Sequence, residues 1–102
     1  MTIQVNAPFQ VSDSLRALID EKVNKLMTYY ERIESAEVFF RDEDHNTHAT
    51  SLANTAEIKL IVPGHILYAD ETSESFEKSL SAATEKMRKQ LIKHKELSTS
   101  HL

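Results

Sequence analysis

TAEIKLIVPGHILYADE, residues 55 to 71, is the stretch on which the fold turns. Its first half places Ala56, Ile58, Leu60 and Val62 at every second position, the period of a strand with one buried face. After Pro63-Gly64 the period of two resumes, with Ile66 and Tyr68 set against Leu67 and Ala69. Two such runs around a turn dipeptide predict an antiparallel hairpin. An L-proline favours type I or II turns, whose twist suits a two-residue hairpin poorly, so a slightly longer or bulged connection is expected.

Working outward, SAEVFFRDE (35–43) sets Ala36, Val38 and Phe40 against Glu37, Phe39 and Arg41, which predicts a further strand over about 35 to 43. TIQVN (2–6) alternates in the same way until Ala7-Pro8 stops it. Between these two strands, Leu15, Leu18, Ile19, Val23, Leu26, Met27 and Tyr30 recur at helical spacing behind Ser12, a good N-cap. A first helix is therefore predicted over 13 to 30. Downstream of the hairpin, Phe76, Leu80, Ala83, Met87 and Leu91 advance by four, three, four and four, predicting a second helix from about Glu74 to about Lys95. LSTSHL (97–102) carries too little apolar content to pack, so 96–102 is expected to be a disordered tail on a single domain of residues 1–95.

The order is thus β-α-β-β-β-α, an α+β class. A helix between the first two strands suits a parallel pair with a right-handed crossover, and short links suit an antiparallel meander for the rest. Each helix has one apolar face, so both are expected on one side of a four-stranded mixed sheet.

Composition narrows the function classes. A chain of 102 residues is long enough for one core, and no run approaches the roughly 18 apolar residues of a membrane span. The start lacks a basic segment followed by an apolar one, so a soluble, cytoplasmic protein is expected. With no cysteine there is no disulfide framework, thiolate metal site or cysteine nucleophile. Gly64 is the sole glycine, which removes phosphate-cradling glycine loops and nucleophile elbows. Asp42, Glu43, Asp44, His45 and His48 share one polar loop, but nothing fixes a ligand geometry, and a solvated loop is the simpler reading. No cofactor, metal or catalytic residue is expected. His94 falls on the second helix's apolar stripe, where an imidazole near a helix end reads as packing.

Charge is the informative feature. Residues 1 to 77 carry six basic and fourteen acidic side chains, and residues 78 to 102 carry six and two, so the balance changes from −8 to +4 in a chain of net charge −4. Lys86, Lys89 and Lys93 fall within roughly 60° of one another on the second helix, with Arg88 and Lys95 on the other flank. The helix dipole favours bases only in the last turn, which covers Lys93 and Lys95 but not Lys86 or Lys89. A solvated face and a phosphate-binding face both remain open for these. On the first helix Lys22, Lys25 and Arg32 lie along one flank near Tyr29, and two helices side by side would merge both flanks into one positive strip. Such a strip binds phosphate backbone by counterion release and reads no base sequence. The acidic total opposes this little, since exposed charges more than about 8 Å away are largely screened at physiological salt.

MTIQV, VSDSLRALIDEKVNKLMTYYERI and above all KMRKQLIKHKE, with its Gln90-Leu91 pair and lysine-rich close, make the chain resemble the ribosome hibernation-promoting factor and ribosome-associated inhibitor family. The resemblance covers nearly the whole length and implies a fold similar to double-stranded-RNA-binding domains. It also implies a non-enzymatic function: binding the small ribosomal subunit in the messenger and transfer RNA channel, and idling ribosomes in stationary phase or stress. The implied contacts to ribosomal RNA are Lys22, Lys25, Lys86, Lys89 and Lys93. Some relatives carry a further base near the position of Thr28, and many are net basic, so affinity here is expected to be weaker or more salt-sensitive. The few residues after the second helix imply a short form without the C-terminal dimerisation domain of long forms. The rival expectation is an acidic protein-interaction module acting through Glu31, Glu34, Glu37 and the Asp42–Asp44 loop.

Overall fold

The structure, a computed structural model, describes residues 2–42 and 54–99. Its elements are β1 (Thr2–Asn6), α1 (Asp13–Leu26), β2 (Ser35–Asp42), β3 (Asn54–Val62), β4 (His65–Ser73) and α2 (Phe76–Thr99). The sheet order is β1-β2-β3-β4, with β1 parallel to β2 and the other pairs antiparallel. This is the expected β-α-β-β-β-α arrangement.

Period two becomes a two-faced sheet. Val38 pairs with Ile58 and Ile58 with Ala69, so one row of apolar side chains crosses three strands on the buried side. Against it lie Leu15, Ile19, Val23 and Leu26 of α1 and Leu80, Ala83, Met87 and Leu91 of α2, in one continuous core. Phe9, Phe40 and Phe76 close one end, with ring centres 4.9 to 5.9 Å apart. The other sheet face is open. There, Lys59 pairs with Glu37 at 4.0 Å, Arg41 with Glu57 at 3.0 Å, and Ile66 and Tyr68 stand half exposed.

Helix boundaries follow local hydrogen bonding. Ser12 accepts the Leu15 N–H on its side chain at 3.1 Å and caps α1. The α-helix ends at Leu26, four residues before the expected 30, because Met27, Thr28 and Tyr29 donate to carbonyls three residues back. That tighter turn still delivers Tyr30 to the core, which is why the apolar period continued past the helix. Ser75 caps α2 by accepting the Lys78 N–H at 3.1 Å, so the helix starts at Phe76 rather than about Glu74. It runs to Thr99, beyond the expected stop near Lys95, since neither proline nor glycine interrupts it and the residues that follow Lys95 are mostly compatible with a helix. Part of the expected tail is therefore helical, and residues 100–102 lie outside the described residues.

The expected longer connection between β3 and β4 is corrected. Val62 pairs with His65 across Pro63-Gly64 alone. Gly64 has φ 79°, and proline followed by a positive-φ residue is the pattern of a type II turn, so the glycine makes the tight loop possible. At the far edge of the sheet, Gln90 of α2 donates to the Tyr68 carbonyl at 2.6 Å and Lys86 to the Asp70 carbonyl at 3.2 Å, tying α2 to β4.

Candidate nucleic-acid interface

α2 packs over β3 and β4, and α1 lies beside α2. Their outward faces adjoin, and each basic side chain takes its place there from its helical phase. On α1, Lys22 and Lys25 line the groove between the helices. Opposite them in that groove stand Thr84, Glu85 and Arg88 of α2. Lys89 occupies the solvent-facing side of α2, with Lys93 one turn further on; both are exposed.

Lys86 differs. It turns to the β4 flank, where its ammonium lies 3.4 Å from Glu71 and 4.0 Å from Asp70. Of the five expected contact residues, Lys86 alone is paired; among the described residues no carboxylate lies within salt-bridge distance of Lys22, Lys25, Lys89 or Lys93. The two basic flanks therefore do not fuse edge to edge as a single narrow strip. They make a wider field across two helices, with Lys86 at its margin.

Arg88 lies on the flank of α2 opposite Lys86, as its helical phase predicts, but sequence reasoning assigned it no part in the site. Its flank of α2 is the one that meets α1. The guanidinium lies 5.7 Å from the centre of the Tyr29 ring and donates through Nε at 3.0 and 3.1 Å to Glu85, with another bond from Nη2. The Arg88 hydrogen bond holds the Glu85 carboxyl below the usual carboxylate range, desolvation opposes it, and the charges of Arg88, Lys89 and Lys25 lower it further. Lys25 on one helix and Lys89 on the other thus act on the same group. Only the packing of α1 against α2 brings Arg88 there, and no local sequence signal carries that packing.

A surface of spaced cations over helix backbones suits a polyanion, whose charges repeat along its length. Among the described residues no three His, Asp or Glu side chains group as metal ligands, and of the polar loop beginning at Asp42 the remainder lies outside the described residues. His94 packs edge-on against Tyr30 and His65, each with ring centres 5.2 Å away. No helix is long and apolar enough to cross a membrane.

Comparison with known proteins bears on the fold and the family. The profile of the family described as sigma 54 modulation protein / S30EA ribosomal protein matches residues 3–98. A ribosome hibernation promoting factor of Azotobacter vinelandii is 31% identical over 86 residues, covering 84% of this chain and 74% of that protein. One from Acidithiobacillus ferridurans is 28% identical over 60 residues, covering 59% and 72%. Among solved structures, a ribosomal subunit interface protein from Coxiella burnetii superposes with a TM-score of 0.77 at 23% identity, covering 93% of this chain and 98% of that one. The N-terminal domain of Thermus thermophilus Protein Y gives 0.72 at 17% identity, covering 91% and 94%. These two likenesses establish a shared fold.

Proposed function

Because the chain belongs to the sigma 54 modulation and S30EA ribosomal protein family, that of the ribosome hibernation factors, we propose that it idles ribosomes by occupying the small subunit. In this reading the outward helical face lies on ribosomal RNA. Lys22, Lys25, Lys89 and Lys93 neutralise backbone phosphates, and Lys86 contributes from the margin. The body of the domain then fills the channel that messenger and transfer RNA would use, which inhibits translation without any chemical step. It works in the cytoplasm, in stationary phase or stress, and needs no cofactor.

The observation that carries the proposal is the set of four lysines that, among the described residues, have no carboxylate within salt-bridge distance, on adjoining faces of two helices in a chain whose total charge is −4. Elsewhere carboxylates take up several of the bases: Arg16 pairs with Asp20, Lys59 with Glu37 and Lys78 with Glu74. The acidic-module alternative has less to work with, since Glu37 is engaged by both Asn6 and Lys59.

Co-sedimentation with purified small ribosomal subunits across a salt series tests the proposal. Binding that weakens with salt and is lost when Lys86, Lys89 and Lys93 are all changed to Glu is the expected result. Undiminished binding by that variant overturns the site. Loss of binding only when Glu31 and Glu34 are changed to Gln transfers the function to the acidic side.

A further inference from the structure

The anion nearest to this basic surface is one of the chain's own carboxylates. Glu85 is held by the fork of Arg88 in the groove between the helices, with Lys22 and Lys25 on the facing wall. Lys89 and Lys25 add their charges to it from the two helices. The helix dipole does not call for an acid here, because Glu85 is the tenth residue of α2, well past the first turn, and its i,i+3 pairing with Arg88 adds only about 0.2–0.5 kcal/mol to the helix. A guanidinium fork binds a carboxylate and a phosphate in the same two-point manner.

We propose that Glu85 is an internal competitor for RNA phosphate: it occupies Arg88 in the free chain and must release it before a phosphodiester takes its place. Glu85 thereby sets the affinity and salt response of the site, an inference that rests on the helical face being the RNA-binding face. The competition also selects the class of ligand. A tethered carboxylate has a high effective concentration, against which a single free phosphate competes poorly. A backbone already held by Lys22, Lys25, Lys89 and Lys93 presents its phosphate to Arg88 as a tethered group too, so the groove favours polyanionic backbone over mononucleotides.

The test compares wild type, Glu85→Gln and Glu77→Gln in binding to purified small subunits across a salt series. Glu77→Gln removes the same charge from the same helix, about 12 Å along its axis. Glu85 is exposed, and matching thermal melts establish that each variant folds. Glu85→Gln is expected to bind roughly two- to fivefold tighter at low salt, the range of one exposed ion pair. Freeing one more cation should also steepen the slope of log affinity against log salt by about 0.9, with Glu77→Gln leaving that slope unchanged. Equal behaviour of Glu85→Gln and wild type overturns this inference alone, as does an equal gain from Glu77→Gln. Failure of the wild type to bind at any salt overturns the proposed function and this inference together.

Discussion

Lys86 and Lys93 stand seven residues apart on one helix and meet different surroundings. Lys86 reaches Glu71, Asp70 and a backbone carbonyl, whereas Lys93 extends into solvent. Replacing Lys93 or Lys89 with Ala is expected to flatten the salt dependence of ribosome binding by about 0.9 per lost phosphate contact, and replacing Lys86 by clearly less. Equal slopes for all three would show that the β4 carboxylates do not compete for Lys86. Arg88 offers a second check. Its hydrogen bond is the main cause of the lowered Glu85 pKa, so Arg88→Gln should raise the midpoint of the Glu85 titration, read by carbon-detected NMR. A depressed carboxylate contributes stability above its unfolded pKa, near 4.5, and loses it as pH falls through the lower folded value. Ion pairing at Glu85 is therefore complete at neutral pH and should change only in acid. At this scale the sequence was partly legible: rotation by 100° per residue put Lys89 and Lys93 on an exposed side of α2 and Arg88 on the opposite flank from Lys86. It could not show that Lys86 has carboxylate neighbours, because these come from a strand paired fifteen residues earlier in the chain.

Elements were more legible than single contacts, since periodicity is a property of the element itself. Alternation predicts all four strands to within two residues at their ends, and Ser12, legible as a cap, accepts the Leu15 N–H. The ends of the helices were less legible. Nothing in the apolar pattern distinguishes Tyr30 on an α-helix from Tyr30 on a tighter turn, because both bring the ring to the core. Ser12→Ala is expected to cost about 1 kcal/mol in urea unfolding, the usual loss of a side-chain N-cap. Gly64→Ala tests the hairpin. An added Cβ would meet no atom within 4 Å, so its cost is that of a left-handed backbone alone, about 1–2 kcal/mol. A neutral result would mean that the turn relaxes to another type and that the Val62–His65 register is not held by the glycine.

For the molecule as a whole, a single core joins the sheet to both helices, so the geometry of the basic helical face depends on packing far from any lysine. Leu60, fully buried on β3, is part of that platform. Leu60→Ala should destabilise the fold by about 2–5 kcal/mol, lowering the urea midpoint with little change in slope. Ribosome binding by the remaining folded fraction should be unchanged. Topology was legible because short links and one crossover helix leave few arrangements, but the side-by-side packing of the helices, which creates the Arg88 groove, is a long-range outcome that no local pattern encodes. The ties from Gln90 to Tyr68 and from Lys86 to Asp70 have one more consequence. Outer-strand carbonyls at alternate residues point away from the sheet and would ordinarily invite another chain to add itself there. With two of them already engaged, a newcomer must first displace the Gln90 amide and the Lys86 ammonium. The contact that anchors α2 thus also denies neighbouring copies a template for growth along β4.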